Sequence, residues 1–402
     1  MAWPLLIQVV KWIGEQIEEY KVYWCCQTEY SEKHQSAFAM IIRLKFRLLL
    51  LLCLVQVVTY AQAKQSPTLN LGDPAPPLRV REWLKGTPFQ KFEKGHVYVL
   101  EYWATWCIPC KAAMPHLSAL AREYKDKITF LGIDVMERKT TSMKKIRRFV
   151  DSMGQQMDYD VAAEDSNFMV AGWMEASEQQ GIPCTFVVNA EGRLAWIGHP
   201  KDLPEILPKI LSNDWNVHAA ATKRNLDKYL FKLDTAANYT LMDYSDKPDL
   251  KLLAIDTIVR NEPKLKYAPF IAYNTLCALL QTNQSKAYEY GKAVLVTPTY
   301  EEPAYYFIIQ AIDYFSKKMK LPAEIYQLGA EAYQAQNDAI PYPELVNMAK
   351  RYNKTAEWYG RSGDKAKAIH FQQKAIEAMK SKKDFSAADL AELEVQLQQY
   401  KK

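Results

Sequence analysis

No stretch of the chain restricts its architecture as tightly as residues 97–111, VYVLEYWATWCIPCK. Apart from Glu101, the first seven residues are β-branched, aromatic or leucine, the composition of a buried strand. Beyond Cys110, the apolar residues Met114, Leu117, Leu120 and Ala121 recur at helical spacing. A strand therefore runs into a helix, with Cys107 and Cys110 at the junction. Side chains three apart on the first turn of a helix are neighbours, so the two sulfurs can meet. Cys107 lies at the open N-terminus, where unpaired N–H groups and the helix dipole favour an anion. That setting favours the thiolate, the attacking form of a thiol. Cys110, one turn deeper, is placed to resolve a mixed disulfide. Pro109 suits a first helical turn, where its missing N–H costs little. A plain disulfide and half a zinc site are the competing readings. Zinc needs two further ligands, and the sequence has no second C-x-x-C and no H-x-x-x-H partner.

The N-terminal region is read separately from the fold. In residues 40–63, Arg43, Lys45 and Arg47 form a basic n-region, residues 48–58 an apolar h-region, and Ala61-Gln62-Ala63 a small-residue cleavage site. The apolar run falls well short of the roughly 20 residues of a spanning helix, so a cleaved signal peptide is expected. The leucines before Cys53 do not make a lipoprotein box. Residues 1–39 lie upstream of this export signal and are read as an over-extended frame starting ahead of Met40. The alternative is a genuine leader with an internal membrane segment. Export predicts a periplasmic or otherwise exported protein. Beyond residue 63 only Cys107, Cys110, Cys184 and Cys277 remain, too few for a disulfide scaffold. The chain is 49% apolar and 24% charged, as in soluble globular proteins. Its net charge of +5 is spread among acids, without the concentrated basic face of a nucleic-acid binder.

At 402 residues, two folded units are expected. Residues 64–78, rich in Pro and turn formers, read as an extended lead-in. Further strands are expected at 128–135 and 157–162, helices near 141–153 and 166–178, a hairpin at 185–197 turning through 190–192, and a closing helix at 203–211. This order predicts an α/β unit over 79–213, a sheet with helices on both faces. From about residue 215 the strand-like runs cease, and residues 220–402 read as an all-helical unit. Its clearest piece, residues 352–375, places Ala356, Tyr359, Gly363-Asp364, Ala368 and Ala375 in the order of a tetratricopeptide (TPR)-like repeat. Residues 272–287 make a poorer second match. Stacked hairpins of this kind create a groove that can take a peptide or protein.

WATWCIPC, with Pro115 five residues after the second cysteine and Gly181-Ile182-Pro183 ahead of a strand, resembles the thioredoxin superfamily. The LGDPAPPL lead-in and the ending GIPCTFVVNAEGRLAWIGHP are most similar to its exported TlpA-like branch, over roughly residues 68–213. The resemblance implies a thioredoxin fold, a central mixed sheet with helices on both faces. It implies that Pro183 is a cis-proline facing the redox pair and that Ile182 lends its backbone to an extended substrate segment. Trp106, Gly198 and His199 would form the rim, His199 as a protonatable neighbour or as a plain turn histidine. Glu101 holds the place of the family's buried carboxylate, either a proton acceptor for Cys110 or a strand-end acid with no task. Two departures stand out. Ala113 occupies a position where many reductases of the branch carry Glu, leaving Glu101 as the acid the sequence offers. Cys184 replaces the usual Thr after the cis-proline, as a third thiol or a small buried filler. His116 and Cys277 read as packing residues, and Pro115 as a helix kink.

The function expected is that of a periplasmic disulfide reductase acting on protein cysteines through the Cys107–Cys110 pair, with no other cofactor. Ile108-Pro109 is closer to the exported reducing members than to strong oxidants. A membrane thiol carrier would supply the electrons, and misoxidised proteins or apocytochrome cysteines would receive them. Two other readings are a thiol peroxidase, which lacks its Thr because Ala104 holds that place, and a helical scaffold using the thioredoxin unit for docking.

Overall fold

The computed structural model describes residues 68–300, 304–341, 343, 346–381 and 386–402. The expectations for residues 1–39 and 40–63 lie outside the described residues.

Six strands form one mixed sheet: β1 (Val80–Lys85), β2 (Val97–Trp103), β3 (Ile128–Asp134), β4 (Asp160–Glu164), β5 (Cys184–Val188) and β6 (Leu194–Gly198). Their order is β1-β4-β3-β2-β5-β6. β2 is central and buried throughout, parallel to β3 and antiparallel to β5. The period of two along β2 divides its side chains between two cores. Val97, Val99 and Trp103 face helices α1 (Ile108–Glu123), α2 (Met143–Met153) and α3 (Leu203–Leu211). Tyr98, Leu100 and Tyr102 face the other side, covered by Leu69, Leu71, a π-helical turn at Val170–Glu175, and Val217, Ala220 and Ala221 of α4 (Val217–Met242).

Three local expectations differ from what forms. Residues 80–85, in which no strand was expected, pair with β4 as an irregular edge strand. Their mixed charged composition, typical of an edge, conceals the strand pattern. The strand expected at 157–162 is β4, displaced because Gly154–Met157 forms a 3-10 turn, after which the Asp158 N–H donates to Ser118 Oγ at 2.8 Å. The helix expected over 166–178 contracts, its π-helical portion being Val170–Glu175. The lead-in is tied down as well: Gly72 N donates to Leu194 O at 2.8 Å and Leu194 N to Asp73 O at 2.9 Å.

From residue 217 onward the described residues contain helices and no strand. α5 (Pro248–Asn261), α6 (Pro269–Thr282), α7 (Gln284–Val296), α8 (Tyr305–Ser316), α9 (Ala323–Asp338), α10 (Met348–Ser362), α11 (Lys365–Lys380) and α12 (Ala387–Lys401) follow α4. One core links Ala272 and Leu276 of α6 through Ile308 and Leu328 to Trp358 and Phe371. Ala356, Tyr359, Ala368 and Ala375 are buried between α10 and α11. Gly363 closes α10 at φ 86°, the left-handed conformation that favours glycine. At Gly329, a Cβ would collide with the Trp358 ring, so glycine lets α9 and α10 approach.

Candidate active site

The last turn of β2 delivers Trp103 and Ala104 to a short loop, and α1 begins at Ile108 with Cys107 as its N-cap residue. The Cys107 sulfur takes the place of a capping oxygen: the Cys110 N–H points to it at 3.2 Å. The two sulfurs are bonded, with Cα atoms 5.3 Å apart. They are nearly covered, at 2% and 1% exposure, whereas Trp106 at 41% and Ile108 at 65% stand out as an apolar rim. Pro115 lies inside α1, and Ala113 is fully buried beneath the pair.

Two later segments complete the site. The Ile182–Pro183 peptide is cis. The Ile182 carbonyl oxygen lies 3.8 Å from Cys107 Sγ. β6 then runs antiparallel to β5 and pairs Gly198 with Thr185, which carries Gly198 and His199 alongside the proline segment. His199 Nδ1 accepts the Lys201 N–H at 3.1 Å, which makes Nε2 the protonated nitrogen of the neutral ring. Trp106 Nε1 donates to Met136 O at 3.0 Å, fixing the rim indole on the loop after β3.

Glu101 projects from β2 toward the α1 face, opposite Thr185 in the strand register. It is 3% exposed. The Thr185 hydroxyl donates to Oε2, while Oε1 is buried without a hydrogen bond. Burial raises its pKa well above the usual carboxylate range, and the Thr185 hydrogen bond offsets only part of that.

The sequence reading missed two further acids. Asp134, at the end of β3, is raised to about 9 by burial and by the charges of Glu137 and Glu164. Glu137 accepts the Thr105 N–H at 2.5 Å and so anchors the loop just before Cys107. Burial alone would raise Glu137, but hydrogen bonds from Thr105, Thr141 and Asp134 leave it below its ordinary value. An acid closing the apolar run ITFLGID was the signal in the sequence.

Other candidates fall elsewhere. Cys184 points to the opposite face of the sheet, among Tyr102, Trp173 and Phe186, and burial pushes its thiol up. Cys277 lies on α6 beside the helical core, and burial raises its pKa to about 11. His116 is half-buried on α1, and burial lowers its pKa. Among the described residues, no group of three or more His, Cys, Asp or Glu is arranged to hold a metal ion.

Known proteins resemble this chain over part of its length. The thioredoxin family model matches residues 84–150. Protein FixW of Rhizobium leguminosarum is 31% identical over 169 residues, which are 40% of this chain and 73% of the relative. The chain belongs to the thioredoxin family of thiol–disulfide oxidoreductases. Thiol:disulfide interchange protein HelX of Rhodobacter capsulatus is 28% identical over 130 residues, 32% of this chain and 67% of HelX. Thiol-disulfide oxidoreductase ResA of Bacillus anthracis is 25% identical over 158 residues, 38% of this chain and 85% of ResA. A thioredoxin-like protein solved in its oxidised form matches at 20% identity and a TM-score of 0.31, covering 36% of this chain and 97% of that one.

Proposed function

We propose that Cys107 and Cys110 are the redox pair of an exported, periplasmic disulfide reductase acting on protein cysteines. The observation that carries this reading is the disulfide at the N-terminus of α1 with the Ile182 carbonyl 3.8 Å from Cys107. In the reduced enzyme, the Cys107 thiolate attacks one sulfur of a substrate disulfide. A bond forms between Cys107 and that sulfur, and the second substrate sulfur leaves as a thiolate and takes up a proton. Cys110, deprotonated, then attacks Cys107 Sγ, forming the Cys107–Cys110 disulfide and releasing the first substrate sulfur. Two electrons pass to the substrate, and an external dithiol donor, for which a membrane thiol carrier is the candidate, restores the pair.

Glu101 is the proton acceptor for Cys110 in this scheme, since a raised carboxyl pKa matches it to a thiol better than an ordinary carboxylate would be. Ile182 and Pro183 offer the backbone edge on which an extended substrate segment docks, and Trp106, Gly198 and His199 form the rim around it. The signal-like residues 40–63 support export. The stacked hairpins α6–α7, α8–α9 and α10–α11 support a TPR-like reading of 220–402. Ala104 supplies no hydroxyl for a peroxidase.

Insulin disulfide reduction tests the assignment: Cys107→Ser is expected to abolish turnover. Equal rates in variant and wild type would end the reading. The potential of the pair against a glutathione series gives the direction, a value near that of thioredoxin marking a reductase.

A further inference from the structure

The segment carrying Ile182 and Pro183 starts on the far side of the sheet, where the Val170–Glu175 turn ends. Residues 176–181 then lead to the redox pair, and cations from α4 hold their first part. Arg224 Nη2 donates to Ser177 O at 2.5 Å. Lys232 Nζ lies 3.3 Å from one Glu178 carboxylate oxygen and Lys228 Nζ 3.7 Å from the other. Glu178 itself sits at φ 61°, a conformation non-glycine residues hold when their surroundings enforce it. Arg224 is half-buried, and its Nε is buried without a hydrogen bond. The same helix is seated firmly: Val217, Ala220 and Ala221 pack on the sheet, and Asn225 Oδ1 accepts Asn70 Nδ2 at 2.9 Å. Its second half belongs to the helical part, through Leu230, Ala237 and Leu241.

We propose that Arg224, assisted by Lys228 and Lys232 on Glu178, is a positioning residue for the redox site, fixing residues 177–181 and through them the Ile182 edge that receives the substrate. The helical half thereby sets substrate affinity without touching substrate. This inference rests on the reading of Ile182 as a docking edge. A hydrogen bond from a charged donor is worth roughly tenfold in an equilibrium constant, so its loss should be measurable.

The test compares reduction of insulin with reduction of a small aromatic disulfide, which needs no backbone edge, using the full chain. Arg224→Ala should raise the insulin KM by about tenfold, keep kcat within about twofold, and leave the small disulfide unaffected. Arg224→Lys should recover most of the lost affinity. Glu178→Gln, which preserves every apolar contact, should raise the insulin KM by about threefold and serves if Arg224→Ala does not fold. Wild-type insulin KM in the folded variants, or equal slowing on both substrates, would overturn the inference. A wild-type enzyme that reduces insulin no faster than free dithiol would overturn the docking reading itself, and this inference with it.

Discussion

The two halves of the chain each bury a carboxylate, and they treat it differently. Asp234, on α4 in the helical half, is fully buried and meets three donors. The N–H groups of Ile271 and Phe270 donate to it at 2.9 Å each, and the Tyr300 hydroxyl at 2.7 Å. It caps the start of α6 from a neighbouring helix. Glu101, in the sheet, has a single donor in Thr185 and one buried oxygen with none. Burial raises the pKa of both, with three hydrogen bonds opposing the rise at Asp234 and one at Glu101. A buried acid with a complete set of donors is architecture. One left incomplete, as Glu101 is, meets the requirement of the proton-accepting role proposed for it.

Substitutions separate the two roles. Asp234→Ala leaves two backbone donors and a hydroxyl without a partner, and is expected to cost about 3 kcal/mol in denaturant unfolding. Insulin reduction by the protein that remains folded should stay within about twofold of wild type; a redox defect there would break the contrast. Glu101→Gln should do the reverse, slowing release of the mixed disulfide by about 10²-fold and flattening the pH profile of that step. It should also stabilise the fold at alkaline pH. The folded state binds the Glu101 proton more tightly than the unfolded state, so this group's stabilising contribution is complete below the unfolded pKa and is lost as pH rises through the folded one. Asp134 follows the same sign between about 4, its unfolded value, and about 9. Asp134→Asn should therefore gain about 1–2 kcal/mol at pH 8 and little at pH 4, read as a melting shift of a few degrees. Tyr300→Phe, which removes one of three donors, is expected to cost only about 1 kcal/mol, with no change in redox rate.

How much of this was legible depended on whether a signal was local. The junction of β2 and α1 was readable because strand composition, helical spacing and two cysteines three apart all occur within residues 97–121. The hairpin β5–β6 and the α10–α11 turn at Gly363 were readable for the same reason. β1 was not, since an edge strand lacks a continuous apolar run, and Asp134 was not, because one acid closing a strand looks like an ordinary solvated end. Cys184 left two readings open, and the alternation of β5 turns its sulfur toward Trp173, away from the face that holds Cys107.

Residues 97–124 contain in their own order the instruction for a strand, a turn and a helix that brings two sulfurs together, because neighbours on one helical turn are neighbours in sequence. The placement of Ile182 against Cys107, 75 positions earlier, of Thr185 on Glu101, and of Arg224 on Ser177 was settled by strand register and by how α4 seats on the sheet. Contacts of that range depend on which surfaces bury each other best, and no local spacing of residues carries that information.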